Sequence, residues 1–218
     1  MQGHWDAAAM KDKDVRDVLV AQLRDDHGQG SALIVEELGL RGGMVRVDVA
    51  VVDDNALSGF EIKSAADTLR RFPRQIEVYS KVLDYANAVV ADTHLEHVQA
   101  VLPRWWGCQV VYTDAGGGLR FDEICPAAPN PGLDPYSLAT LLWRDEVVDA
   151  LQARDALTGV VSKPNRVLWG RLVEVLDVDE LRALVRDRLR ARTRWRQHRV
   201  SVASEKIVGR GLKGRASA

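Results

Sequence analysis

Residues 44–63 read MVRVDVAVVDDNALSGFEIK, and the charges inside this stretch decide the fold. Val45, Val47, Val49 and Val51 recur at every second position, the period of a half-buried strand. Phe60 and Ile62 repeat that period after the turn residues DDNA at 53–56. A four-residue loop predicts an antiparallel hairpin in which Val52 faces Leu57, Ala50 faces Gly59 and Asp48 faces Glu61. A single bulge would shift that register. On this reading the four valines share a core face with Phe60 and Ile62, and Arg46, Asp48, Glu61 and Lys63 share the other. Carboxylates directly opposite on neighbouring strands lie about 4.5–5.5 Å apart at Cβ and repel each other. A divalent cation removes the conflict, because Mg²⁺ is commonly held by one or two carboxylates together with waters and substrate phosphate. Lys63 leaves the same face as Glu61, two residues on. It is suited to orient a water or to stabilise charge on a phosphate.

Around the hairpin, apolar residues at Val15, Val18, Leu19 and Leu23 predict a helix over 14–26, with Asp12 or Asp14 at its start. SALIVEELGL (31–40) predicts a strand before the hairpin. After it come a helix with Pro73 in its first turn running to about Tyr85, the strand ANAVVAD (86–92) and a helix from Thr93. CQVVYT (108–113) and GLRFDEI (118–124) predict two further strands. The proline-rich CPAAPNPGLDP (125–135) reads as a linker. Helices are expected over 135–154, 164–176 and 178–195, ahead of a basic tail without periodicity. The expected class is therefore α/β, an αβββαβ core with a mixed central sheet, followed by an all-α C-terminal appendage.

Asp48, then Glu61-x-Lys63 on the next strand, together with this element order, resembles the PD-(D/E)XK nuclease superfamily and its restriction-endonuclease-like fold. Val47 stands where that superfamily often has proline. Gln75 and Tyr79, four apart on the following helix and so on one face, resemble the Q-x-x-x-Y helix of RecB-like nucleases. The stretch RVDVAVV…EIKS…DTLRRFPRQIEVY is also similar to a family of small, largely uncharacterised bacterial and phage proteins, as is the LLWRDE…SKPNRVLWGRL end. The resemblance implies a nuclease hydrolysing DNA with Mg²⁺, Mn²⁺ substituting. A cytoplasmic location is expected separately, since MQGHWDAAAMKDKD holds no long apolar stretch and no window reaches the length of a membrane span. Asp48, Glu61 and the carbonyl of Ile62 would be the metal ligands and Lys63 the residue at the attacking water. An upstream acid, Glu37 rather than Glu36, would join them, and Gln75, Tyr79 and Arg74 would position the strand. A homodimer is one arrangement such folds use, and no membrane or organic cofactor is implied. The division is then 1–126 for the nuclease-like domain, 127–135 for the linker, 136–199 for the helical appendage and 200–218 for the tail. RNA as substrate, or a catalytically idle module binding DNA or a protein, are the alternatives.

The remaining features are blander. Apolar residues make up 46% and charged residues 28% of the chain, and the net charge is −1, so the whole chain is no general polyanion binder. Eight arginines against one aspartate nevertheless fall between Leu181 and Arg199. Arg186 and Arg190 share a helix face there and are candidates for contacts to nucleic-acid backbone. Cys108 and Cys125 lack CxxC spacing and read as two structural thiols. The histidines of HLEH (94–97) have no third ligand at zinc spacing. Trp105 and Trp106 read as core, and the glycines at 116–118 as a hairpin turn.

Overall fold

The computed structural model describes residues 11–28 and 30–192. The expected tail over 200–218 and the end of the last helix past Arg192 lie outside them. Helix α1 (Asp12–His27) places acids in its first turn and Arg24 and His27 in its last, in line with the helix dipole, and stops at Gly28 with φ 66°. Three strands follow, β1 (Leu33–Leu40), β2 (Val45–Val52) and β3 (Leu57–Lys63). Helix α2 (Phe72–Tyr79), with proline in its first turn, leads into β4 (Tyr85–Ala91), and α3 (Asp92–Val101) into β5 (Gly107–Thr113) and β6 (Leu119–Cys125). The predicted αβββαβ order is present. Helix α2 ends at Tyr79, short of the expected Tyr85, because Tyr85 already pairs with Ser58 in the sheet.

The six strands form one open mixed sheet in the order β1-β2-β3-β4-β5-β6. The outer pairs are antiparallel, and β3, β4 and β5 run parallel. The parallel steps are made by the α2 and α3 crossovers, as parallel pairing requires. Both faces are covered. Val15, Leu19, Val20 and Leu23 of α1 pack on Ile34, Val49, Val51, Phe60 and Ile62. The other face builds a larger core with α2, α3 and the C-terminal helices.

Those helices are α4 (Pro135–Ala139), α5 (Arg144–Gln152), α6 (Asn165–Val175) and α7 (Val178–Ala191). The single helix expected over 135–154 is two, separated by Thr140–Trp143. Leu138, Leu151, Leu168, Leu181 and Val185 share one apolar cluster with the sheet. Segment 127–135 is anchored rather than loose. Asn130 is buried, and its side-chain amide donates to the carbonyls of Ser80 and Leu83 at 2.8 and 2.7 Å.

The hairpin register agrees with the sequence where it is paired: Val52 faces Leu57 and Ala50 faces Gly59. Gly59 is required there, since a Cβ would come within 2.4 Å of Leu83 Cδ1 and 3.1 Å of Val47 Cγ1. The ladder between β2 and β3 ends at Val49–Phe60, one pair before Asp48 would meet Glu61. The expectation of four valines on one face is also corrected. Val49 and Val51 lie on the α1 side, whereas Val45 and Val47 belong to the opposite cluster. The alternation changes face at Asp48. Its neighbour on β1 does the same, because Ile34 lies on the α1 side and Leu38 and Leu40 on the other, with Val35. Glu37, between Glu36–Val49 and Leu38–Val47, drops out of the ladder with φ 58°. A non-glycine residue in that region is strained and is held there by its surroundings. Both strands thus change face at one level, where the β2–β3 ladder ends and leaves an opening, and the acids Glu37 and Asp48 stand there.

Candidate active site

A cleft of about 630 Å³ lies at that opening. It is lined by Glu37, Asp48, Glu61, Ile62, Lys63, Arg74 and Gln75 among others, and Arg46 and Arg71 add to its cationic wall. The sheet positions the acids. With no partner across the ladder, the Ile62 N–H is taken by Asp48 Oδ2 at 2.8 Å. The side chain of Asp48 therefore replaces a missing backbone bond and is pinned between β2 and β3. Glu61 and Lys63 extend toward α2, as period-two alternation with Phe60 and Ile62 on the α1 side demands.

Glu61 is 1% exposed and gathers three partners. Lys63 Nζ donates to its Oε1 at 2.5 Å, Gln75 Nε2 donates to the same oxygen, and the Tyr79 hydroxyl meets Oε2. The i, i+4 spacing of Gln75 and Tyr79 on α2 is what lets both reach one carboxyl group. Tyr79 is held in turn by stacking on Trp106, with ring centroids 5.7 Å apart and planes 5° from parallel. Its hydroxyl also lies 2.6 Å from the Arg46 carbonyl. Burial pushes the Glu61 carboxyl above its ordinary range, against the pull of Lys63, Tyr79 and Gln75. Asp48 is pushed up to about 7, first by burial and then by the charge of Glu61, with the Ile62 N–H opposing. The charge of Glu61 thus reaches Asp48, although the ladder does not hold the two face to face.

Glu37 lies on the cleft wall, 2.6 Å from Arg16 Nη1 and 3.8 Å from Arg46 Nη1. Arg74 is in the wall beside Gln75. Arg186 and Arg190 are elsewhere. Arg190 pairs with Asp54 in the β2–β3 turn, and Arg186 lines a separate hollow of about 320 Å³ with Arg182 and Asp84. That turn is at the other end of the strands from Glu61 and Lys63. The cleft also contains Asp12, Arg16 and Asp67, which pattern reading passed over. Asp12 and Arg16 were visible only as an ordinary i, i+4 pair on a helix, and nothing in α1 announces which end of the sheet it meets.

Two buried polar atoms in the wall, Gln75 Oε1 and Arg16 Nε, have no hydrogen-bond partner. Among the described residues no three His, Cys, Asp or Glu side chains converge into a metal cage. An open set of two carboxylates and a main-chain oxygen fits Mg²⁺ or Mn²⁺, which keep waters and share substrate oxygens, and does not fit zinc. His94 and His97 belong to no such group.

Comparison with known proteins supplies a family. Residues 7–213 match the family described as Bacteriophage P4 protein cII. The chain belongs to that family. No curated protein matches it. Among solved structures it is similar to the SPO1766 protein of unknown function from Silicibacter pomeroyi, at 21% identity and a TM-score of 0.39. The match covers 69% of this chain and 94% of that one. Among the described residues no helix is long and apolar enough to cross a membrane.

Proposed function

We propose that this chain is a metal-dependent nuclease that hydrolyses DNA phosphodiester bonds in the cleft at Asp48, Glu61 and Lys63. The observation that carries the reading is the convergence of Lys63, Gln75 and Tyr79 on the buried carboxyl group of Glu61, with Asp48 beside it. Five residues from two strands and a helix meet at a place where a purely structural sheet would have no use for two repelling acids. Their pattern resembles the acid, Glu-x-Lys and Q-x-x-x-Y sets of the PD-(D/E)XK superfamily.

Asp48, Glu61 and the carbonyl of Ile62 would hold a Mg²⁺ or Mn²⁺ ion, which when bound supplies positive charge at the phosphate and acidifies a water. The Ile62 N–H is directed at Asp48, and in an extended strand a residue's carbonyl leaves by the same edge as its N–H. Lys63 is anchored on Glu61 and lies with its ammonium 5.7 Å from the centroid of the Phe72 ring, a stiff setting for a group that must orient a water. Gln75 and Tyr79 fix the rotamer of Glu61. Arg46, Arg71 and Arg74 on the wall meet the phosphate backbone, and this contact weakens with salt.

The test incubates purified protein with plasmid, single-stranded DNA and RNA, each with Mg²⁺ and with Mn²⁺, beside Asp48→Ala and Lys63→Ala. Cutting by the native chain that both substitutions abolish supports the reading, and the preferred polymer names the substrate. A second reading, a nuclease-like module that binds without cutting, is favoured by one observation: Arg16 already leans on Glu37 and Asp48. Binding that survives both substitutions, with no cutting by any form, selects that reading instead.

A further inference from the structure

Arg16 enters the cleft from α1, the one helix among the described residues that packs on its side of the sheet. Its side chain is 16% exposed and faces three acids. Nη2 lies 2.9 Å from Asp12 Oδ2, Nη1 lies 2.6 Å from Glu37 Oε1, and Nη2 lies 3.5 Å from Asp48 Oδ1. The guanidinium charge is held against the cost of burial by these carboxylates, and the group sits above its ordinary pKa. The three contacts are unequal. Asp12 and Glu37 make hydrogen-bonded pairs, whereas Asp48, the acid at the end of the ladder, is touched loosely.

We propose that Arg16 is an internal counter-ion of the cleft, occupying by its charge the place beside Asp48 that a divalent cation takes, so that cation and guanidinium compete for that carboxylate. This rests on the nuclease reading only for the identity of Asp48 as a metal ligand. Electrostatics argues for the competition. Asp12, Glu37, Asp48 and Glu61 crowd one cleft, and Lys63 is already committed to Glu61. Without Arg16, Asp12 and Asp48 would lose their ion pair and Glu37 would keep only the looser contact to Arg46. With a cation held at Asp48, that acid would no longer need the guanidinium, and Arg16 would be repelled from it. Because Asp12 and Glu37 tether it, Arg16 retreats without leaving the cleft. Its Nε, buried with no partner, then has an N–H to offer a phosphate oxygen.

The experiment measures Mn²⁺ binding by calorimetry, and the shift in melting temperature that Mn²⁺ produces, for the native chain, Arg16→Gln, Arg16→Lys and Asp48→Asn. Removing one positive charge a few ångströms from the ion should tighten Mn²⁺ binding by about 10-fold or more in Arg16→Gln. The metal-free variant should melt lower, and Mn²⁺ should raise its melting temperature more than that of the native chain. Arg16→Lys, a compact charge without the fork, should fall between, and it carries the test if Arg16→Gln does not fold. Asp48→Asn should lose the Mn²⁺ effect. Equal or weaker Mn²⁺ binding in both Arg16 variants overturns the proposal, as does the absence of Mn²⁺ binding in every form. Native cutting together with unchanged Mn²⁺ affinity in the variants sinks the counter-ion alone. Tightened binding without cutting by any form sinks the hydrolase reading and leaves the counter-ion standing.

Discussion

The described residues include two buried acid–base pairs, Glu146–Arg192 and Glu61–Lys63, and they are built to opposite ends. Glu146 and Arg192 join α5 to the end of α7. Arg192 Nε and Nη2 donate to the two carboxylate oxygens at 2.8 and 2.7 Å, and Nη2 also reaches the Leu141 carbonyl at 2.6 Å. The guanidinium lies 4.2 Å from the Trp143 ring, and Glu146 Oε2 accepts the Trp143 N–H at 2.7 Å. Both carboxylate oxygens are engaged, and one acid meets one base. Glu61 and Lys63 are as deeply buried, but a second acid stands beside them, and one tyrosine proton faces two acceptors. A buried pair that holds a fold together is closed and neutral in sum. A buried pair with excess acid at the wall of a cleft is open to a further cation. The two pairs differ in charge balance rather than in burial.

The largest effect that can break this contrast is on stability. Glu146→Ala leaves the Arg192 charge buried without its partner and should cost about 3–5 kcal/mol in urea unfolding. Glu61→Gln should cost about 1 kcal/mol or less. The amide oxygen still accepts from Lys63 and Gln75, and the amide nitrogen supplies the proton that the Tyr79 hydroxyl lacks. Equal losses in the two variants would mean that both pairs are structural clamps.

The next effect is the pH dependence of the metal-free protein. Asp48 is raised in the folded state to about 7, and Glu61 is raised as well, both chiefly by burial. The folded state therefore holds protons that the unfolded chain has released. Its stability is highest below the unfolded carboxyl range near pH 4 and is lost as pH climbs toward 7. For Asp48 the loss is roughly 4 kcal/mol as an upper figure. Asp48→Asn should flatten the slope in denaturant titrations across that window. A slope that persists unchanged in the variant would place the excess acid somewhere other than this cleft.

How much of this was legible in the sequence depended on whether the feature was local. Strand period, the DDNA turn and the prolines made the αβββαβ order and the helical C-terminal region readable before any coordinates. A hairpin fixes register over a few residues, which brought Asp48, Glu61 and Lys63 to one end of the strands, although the ladder ends before the first two pair. The face change at Glu37 and Asp48 was not, since a residue in the left-handed region leaves no mark on an otherwise regular run of valines. Arg16 was not readable either, because the end of the sheet that α1 reaches is set by packing between distant segments. The partners of the C-terminal arginines were not readable, because they lie on distant segments. Arg182 pairs with Asp84, Arg190 with Asp54 and Arg192 with Glu146, so charges that look free along the helix are paired across the fold.

The smallest effect sharpens the contrast most, because it separates holding from working at a single residue. Tyr79→Phe keeps the ring stacked on Trp106 and removes only the hydroxyl between Glu61 and the Arg46 carbonyl. The loss in stability should be about 1 kcal/mol, the net worth of an ordinary hydrogen bond. If that hydroxyl serves the fold alone, any cutting by the variant should match the native chain at temperatures where both are folded. If it fixes Glu61 for chemistry, kcat should fall while KM changes little, because the acid is misplaced and the arginines of the wall are untouched. Arg74→Ala is the mirror experiment: it should raise KM and lower the salt slope with kcat nearly kept. Identical kinetic signatures for the two variants would erase the distinction between the acid centre of the cleft and its cationic rim.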